Sequence, residues 1–169
     1  MRKWIVVLVC LVLFTACSTG KKVSTQEIAE RYTGDFSFAA RGKTEKDTYA
    51  MEGKKNGGSI TLSVLEPKEL NGLSITMEDG KTKVAFAGME KEFVTEALPE
   101  GAPFRLLETA FTKLQKGELS AEEGGNGLSV FGEAFSGTLS GEDLSLLSLS
   151  FPTEKTDFSF SDFAFSEEK

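Results

Sequence analysis

Apolar residues at every second position, separated by tight-turn dipeptides, constrain the fold of this chain more than any other feature. The alternation runs through residues 36–40, 60–64, 73–77 and 84–86. Asn-Gly or Asp-Gly pairs stand at residues 56–57, 71–72, 79–80 and 126–127. Period-two alternation places apolar side chains on one face of a strand, and these dipeptides supply the positive φ values that two-residue hairpins need. The sequence therefore predicts neighbouring strands that pair antiparallel.

The pattern predicts six strands in a meander, then a helical segment, then four more strands. The first six lie near residues 35–42, 47–55, 59–65, 73–79, 82–88 and 91–96, and the last four near residues 118–123, 127–135, 145–151 and 156–165. In the last strand, Phe158 and Phe160 have one parity, whereas Phe163 and Phe165 have the other. We expect a bulge at Ser161-Asp162 to return all four rings to one face.

Two helices are predicted beside these strands. Ser24 and Glu27 have capping-box spacing, and the short helix that follows ends at Gly34. The second helix lies before Gly117 and has an apolar stripe formed by Phe104, Leu107, Phe111 and Leu114. We expect its other face to contact water through Arg105, Glu108, Thr112 and Lys116. The predicted fold class is α+β, mainly antiparallel β, in a single domain over residues 25–169.

The amino terminus has the pattern of a secretory signal. Arg2 and Lys3 precede eleven apolar residues, which are too few to span a bilayer but fit the apolar region of a signal peptide. The run Leu13-Phe14-Thr15-Ala16-Cys17 resembles a bacterial lipobox, with Phe14 where leucine is usual. That resemblance implies cleavage after residue 16 and a diacylglycerol anchor on Cys17. We therefore expect a signal peptide at 1–16, a flexible tether at 17–24, and a lipid anchor on the extracytoplasmic side of the cell membrane or outer membrane.

Composition excludes several classes of function. The chain has no histidine, which excludes a Ser-His-Asp triad, a Cys-His pair and histidine-ligated zinc. Its formal charge is −7, and loss of Arg2 and Lys3 with the signal peptide lowers it to −9, which opposes binding to nucleic acid. Carboxylates cluster at predicted turns, where solvated charge is ordinary, although two carboxylates would suffice for a glycosidase. We expect no enzyme activity, no metal and no cofactor.

Phenylalanine dominates the aromatic residues, with 14 in the chain against two tyrosines. Phenylalanine has no polar group and therefore suits fully apolar surroundings. The rings either pack an ordinary core or line a lipid-sized cavity between the sheet and the second helix. The candidate cargo-contacting residues are Phe36, Phe38, Phe86, Phe104, Leu107, Phe111 and Leu114.

The order of elements resembles the superfamily of lipoprotein-localisation carriers, the LolA and LolB type. The local matches are Gly34-Asp35-Phe36, the turn over residues 67–72, Leu73-Ser74-Ile75 leading into Asp79-Gly80, and the helix over residues 104–116. The resemblance implies a strongly curved, open half-barrel sheet with helices on its concave face. It also implies a non-catalytic activity, the binding of acyl chains or a lipidated protein. Similar lipoproteins of spore-forming bacteria instead bind and regulate a cell-wall enzyme.

Two functions therefore stay open at this point. The first is a membrane-anchored protein that binds lipid or lipidated cargo in an apolar cavity. The second is an interaction protein, with a filled core, that binds or regulates a protein or enzyme of the cell envelope. An apolar void above about 300 Å³ between sheet and helix would favour the first function, and a filled core would favour the second.

Overall fold

A computed structural model describes residues 23–124 and 127–166. The predicted signal peptide, Cys17 and most of the predicted tether lie outside these residues. The described residues form two α-helices, α1 (Thr25–Thr33) and α2 (Pro103–Lys116). The strands are β1 (Phe36–Lys43), β2 (Thr48–Asn56), β3 (Ser59–Glu66), β4 (Ser74–Glu78), β5 (Lys81–Phe86), β6 (Met89–Val94), β7 (Ser120–Gly124), β8 (Gly127–Phe131), β9 (Ser136–Leu139), β10 (Leu146–Phe151) and β11 (Thr156–Phe165).

All eleven strands belong to one antiparallel sheet, in the order β6-β5-β4-β3-β2-β1-β11-β10-β9-β8-β7. Each strand of the meander β1–β6 pairs with its neighbour in sequence, as does each strand of β7–β11. The pairing of β1 with β11 joins the two meanders. β6 and β7 are the two free edges, so the sheet is an open half-barrel and does not close. The predicted fold class, α+β with a mainly antiparallel curved sheet, is confirmed.

Both helices pack on one face of the sheet, and that face is the core. Alternation decides the face, because β1 and β3 bury every second side chain. α1 contributes Ile28 and Tyr32 to the core, and α2 contributes Leu106, Leu107, Ala110, Phe111 and Leu114. Burial of an aliphatic or phenylalanine side chain contributes about 1.5–3 kcal/mol, so this face supplies most of the stability of the domain.

Gly117 sets both the end of α2 and its contact with α1. Its φ of 65° is left-handed, and its N–H donates to the carbonyl of Leu114 at 3.2 Å. A glycine adopts this conformation without strain. A β-carbon at Gly117 would also lie only 3.2 Å from the carbonyl oxygen of Thr25, so the glycine lets the start of α1 approach the end of α2.

A buried lysine fixes the other end of α1. Lys55 of β2 is 4% exposed, and its ammonium donates to the carbonyls of Thr33 at 2.6 Å and Gly34 at 3.1 Å. Burial lowers the pKa of Lys55, and the nearby Asp35 carboxylate partly offsets this effect. The last carbonyls of a helix lack partners within the helix, so Lys55 acts as its cap.

The predicted bulge in the last strand is confirmed. Asp162 has a φ of 52°, and the pairing with β1 shifts register there, from Ala39 opposite Ser161 to Ser37 opposite Ala164. The extra residue reverses the alternation, so residues 163 and 165 point to the same face of the sheet as residues 158 and 160. As a result, the rings of Phe158 and Phe160 are buried, and those of Phe163 and Phe165 pack against the same core.

Two hairpins differ from the sequence prediction. Ala87 and Gly88, with φ values of 51° and 80°, form a two-residue turn, so β5 ends at Phe86 and the predicted strands at 82–88 and 91–96 are displaced. The predicted strand 127–135 ends early as β8 (Gly127–Phe131), and β9 (Ser136–Leu139) follows in a stretch where the sequence predicted no strand. Their turn folds the Phe135 ring back over Gly132, where a β-carbon would clash with it. An apolar ring buried within a turn has the same sequence pattern as a ring in a strand, which explains the second error.

Candidate functional site

Three phenylalanines fill the space under α2. The Phe111 ring of α2 lies 5.1 Å from the Phe36 ring and 5.3 Å from the Phe38 ring, measured between ring centroids. The Phe36 and Phe38 rings lie 6.2 Å apart on β1. These spacings are those of aromatic rings in direct contact. We call Phe36, Phe38 and Phe111, together with Phe160 and Phe163 of β11, the aromatic cluster.

The predicted cargo-contacting residues divide into two groups. Phe36, Phe38, Leu107, Phe111 and Leu114 are at most 3% exposed and belong to the core. Phe104 is half-buried and packs against the same core, whereas Phe86 is half-buried near the edge of the sheet. The structure therefore brings together six of the seven residues, and it packs them into a core.

Glycines opposite the rings explain why the concave face is filled. A β-carbon at Gly53 of β2 would clash with the Phe38 ring, and one at Gly42 would lie 2.7 Å from the Phe158 ring. Each ring occupies the space that a side chain of the neighbouring strand would otherwise fill. This complementarity produces the dense packing typical of protein interiors. Phe38 and Gly53 are both present in the sequence, but only the register of β1 against β2 shows that they are cross-strand partners.

A smaller apolar surface stays partly open at the β6 edge. Met89 of β6 is 71% exposed and lies directly opposite Phe86 of β5, which is half-buried. Val84 lies on the same face of β5, two residues before Phe86, and Lys91 is its cross-strand partner. We call Val84, Phe86 and Met89 the apolar corner. Alternation places it on the same face as the helices.

Two described clefts of more than 600 Å³ lie outside the space under α2. One, of about 650 Å³, lies at the carboxyl end of α1, where Arg31, Asp35, Asp143 and Phe165 are among its lining residues. The Arg31 guanidinium lies 4.1 Å above the Phe165 ring. The backbone N–H of Ser145 donates to the Asp143 carboxylate and lowers its pKa. Charged side chains line this cleft beside the Phe165 ring, so it differs from the mostly apolar cavity that an acyl chain would require.

A second cleft, of about 640 Å³, lies on the convex face of the sheet. Ser37, Glu52, Lys54 and Thr61 are among its lining residues, and the Thr61 hydroxyl lies 3.0 Å from the Thr76 hydroxyl. The surface is hydroxylated and shallow. It too differs from the apolar cavity that lipid cargo would require.

In the part of the chain that the structure describes, no group of three or more histidine, cysteine, aspartate or glutamate residues could hold a metal ion. Within α2, only Lys116 of the four residues expected to face water is exposed, and Arg105, Glu108 and Thr112 are half-buried. Burial raises the pKa of Glu108, Arg105 opposes the shift, and Glu96 adds to it. Arg105 donates to the carbonyl of Leu98 at 2.7 Å, which ties α2 to the preceding loop.

These features define a class of protein, an open α+β half-barrel whose concave face is packed with aromatic rings. No protein-family model matches the sequence, and no curated protein matches it. Among solved structures, an uncharacterized conserved protein from Thermus thermophilus is similar over 85% of this chain and 88% of its own, at 12% identity and a TM-score of 0.55. That similarity shows a shared fold.

Weaker similarities include the superfamily that the sequence resembles. The LolA superfamily protein NE2245 from Nitrosomonas europaea is similar over 87% of this chain and 96% of its own, at 11% identity and a TM-score of 0.42. A chain in the structure of the CwlD amidase from Clostridioides difficile in complex with the GerS lipoprotein is similar over 88% of this chain and 100% of its own, at 15% identity and a TM-score of 0.48. At these scores, no ligand or partner is transferred to this chain.

Within the described residues, no helix is long and apolar enough to cross a membrane.

Proposed function

We propose that this chain is a non-catalytic lipoprotein, anchored through Cys17 outside the cytoplasmic membrane, that binds another protein of the cell envelope. The observation that carries the proposal is the aromatic cluster under α2. Of the two functions that the sequence left open, a filled core favours the interaction protein.

Energetics support this preference. An empty cavity of about 300 Å³ would cost about 7 kcal/mol at about 24 cal/mol per Å³, which is comparable with the whole stability of a small domain. The aromatic cluster avoids that cost. An acyl chain could enter only by displacing rings, and exposing Phe36, Phe38 and Phe111 to water would cost about 1.5–3 kcal/mol each. The binding free energy of a lipid under α2 would therefore be weakened by the cost of exposing these rings.

The apolar corner is the surface that we assign to the partner. Met89 is 71% exposed beside a half-buried phenylalanine, and methionine and aromatic side chains are enriched in protein interfaces. The acidic residues of β6 lie on the opposite face, where Glu90 pairs with Lys83 at 2.8 Å and Glu92 with Lys81 at 3.5 Å. The apolar corner itself therefore contains no acidic side chain.

The first experiment tests for lipid. The mature lipoprotein, and the same chain with Cys17→Ser, are expressed in bacteria and examined by native mass spectrometry. We expect the Cys17→Ser chain to carry no co-purified lipid, because the aromatic cluster leaves no space for an acyl chain. A stoichiometric lipid adduct that persists in this variant would contradict the proposal.

The second experiment tests the apolar corner. A photo-crosslinking residue replaces Met89 in the full chain within its native cells, and Val94 is the matched control because it is 59% exposed on the opposite face of the same strand. We expect a crosslinked protein of one defined mass from position 89, absent at 94 and lost when Phe86 is replaced by lysine. Equal crosslinking from both positions would contradict the assignment.

Binding of lipid or of lipidated cargo is the second candidate, and the apolar corner is the observation that favours it. A single acyl chain could lie across Val84, Phe86 and Met89 with its polar end near Lys91. This candidate predicts lipid retention that falls in a Phe86→Lys variant and is unchanged in a Phe111→Leu variant. The native mass measurements therefore separate the two candidates.

A further inference from the structure

The outer side of β6 is a free edge of the sheet, since β6 pairs only with β5 among the described residues. In an antiparallel pair, residues that exchange hydrogen bonds with the partner strand alternate with residues that do not. Directly after β6, the N–H of Thr95 donates to the carbonyl of Gly80 at 2.8 Å, so every second residue before Thr95 faces β5. Glu90 and Glu92 lie between those residues, and their backbone N–H and C=O groups therefore point outward, to the free edge.

The apolar corner and two carboxylates lie on opposite faces of this edge. Met89 is exposed on the face that carries the helices, opposite Phe86. Glu90 and Glu92 are exposed on the other face, and each forms a salt bridge with one lysine of β5. A carboxylate has about four acceptor sites, so both can accept further hydrogen bonds from a cation. A strand added to this edge would therefore meet an apolar surface on one face and acidic side chains on the other.

We infer that the partner adds an extended segment to β6, with an apolar side chain on Met89 and basic side chains beside Glu90 and Glu92. The inference rests on the proposed function, because it specifies how the partner of the apolar corner binds. Addition of a strand to a sheet edge supplies main-chain hydrogen bonds, and alternate side chains supply specificity. The added segment ends before Val94, because the chain turns away from the sheet into Thr95–Ala97.

The charges of β6 disfavour a second copy of this chain as the added strand. Two copies of β6 that pair antiparallel around a two-fold axis place residues of equal parity opposite one another. A register centred on Lys91 sets Glu90 opposite Glu92, and a register centred on Glu92 sets this residue opposite itself. Like charges directly opposite each other destabilise a strand pair. A segment with lysine or arginine at alternate positions avoids this repulsion, so the charge pattern favours a basic partner.

Proline substitution tests the backbone pairing. Glu92→Pro removes an outward N–H, and proline is tolerated where the N–H of an edge strand faces solvent. Glu92→Ala is the matched control, because it also removes the carboxylate but keeps the N–H. The measurement is the crosslinking yield from a photo-crosslinking residue at Met89 of the full chain in its native cells. We expect Glu92→Pro to lower this yield about tenfold relative to Glu92→Ala, since a carbonyl of the partner loses its donor.

A second proline variant separates loss of pairing from loss of folding. Val94 has a φ of −70°, which proline adopts without strain, and it lies beyond the added segment. Val94→Pro should therefore keep the parent yield. Equal yields from Glu92→Pro and Glu92→Ala, or an equal loss with Val94→Pro, would overturn the inference and leave the proposed function intact.

Charge reversal tests the chemistry of the partner. Glu90→Lys/Glu92→Lys should lower the yield about tenfold or more, because like charges would then meet. Glu122→Lys/Glu123→Lys makes the same change at the other free edge, on β7, and should keep the parent yield. The crosslinked peptide of the partner, identified by mass spectrometry, should have lysine or arginine at alternate positions. A partner peptide without basic residues would overturn the inference alone. A crosslink to a second copy of this chain, or none from the parent, would overturn the proposed function with it.

Discussion

Replacement of Phe111 by alanine separates a filled core from an open cavity. The Phe111 side chain has no exposed surface, and its ring contacts those of Phe36 and Phe38 at 5.1 and 5.3 Å, with Phe160 at 6.3 Å. In a packed core, removal of a phenylalanine ring costs about 3–5 kcal/mol, because both transfer free energy and contacts around the new void are lost. The free energy of unfolding of a small domain is about 5–15 kcal/mol, so the loss is a large fraction of its total stability.

Urea denaturation followed by circular dichroism measures this loss. With a slope of about 1–3 kcal/mol per molar urea, a loss of about 4 kcal/mol lowers the midpoint by about 1.3–4 M. Phe111→Leu keeps much of the volume and should lose less than half as much. Phe86→Ala, half-buried at the sheet edge, is the control and should also lose less.

The refuting result combines two measurements. If Phe111→Ala lowers the free energy of unfolding by less than about 1 kcal/mol while a lipid that the parent carried is lost, the ring lines a cargo cavity and the filled-core argument is wrong. If neither stability nor lipid content changes, α2 does not pack on the sheet in solution. A large loss of stability in a parent without lipid is the outcome that the structure predicts.

Three further predictions follow from single residues. Lys55→Met should destabilise the domain by about 1–3 kcal/mol in urea titrations, since two carbonyls at the end of α1 lose their charged donor, whereas the exposed Lys54→Met should change little. Because the pKa of Glu108 is raised, the folded state holds its proton more tightly, and stability should fall as pH rises from the ordinary glutamate pKa through the raised value. Glu108→Gln should remove that slope in unfolding curves recorded between about pH 4 and pH 7, and Glu100→Gln, which is exposed, should keep it. Cys17→Ala should leave the precursor uncut, and radioactive fatty acid that still labels this variant would contradict the proposed anchor.

Local structure was largely readable from the sequence. The capping of α1 by Ser24, whose hydroxyl accepts from the N–H of Glu27 at 3.1 Å, follows from a spacing of three residues. The end of α2 at Gly117 and the bulge at Asp162 follow from a glycine and from a change of parity. Each of these features depends on atoms that are neighbours in the chain, so a short stretch of sequence contains its cause.

The pairing between distant strands was not readable in the same way. β1 pairs with β11, more than a hundred residues later, and this contact makes one sheet of two meanders. Ala87-Gly88 was missed as a turn because alanine rarely adopts the positive φ that it has there. The pairing of β1 with β11 and the position of this turn both depend on the free energy of the whole sheet, of which each strand contributes only a part.

The difference between local sequence signals and tertiary packing is clearest at the candidate site. The sequence by itself selected six of the residues that meet under α2 and predicted that their environment would be apolar. It left open whether the rings line a cavity or fill it, because that depends on distances between surfaces that are far apart in the chain. The tertiary structure decides the question through register, which sets Gly53 beside Phe38 and brings Phe111 within 5.3 Å of the Phe38 ring. Hydrophobicity brings rings to one face, but only the shape of the opposing surface determines how much space is left between them.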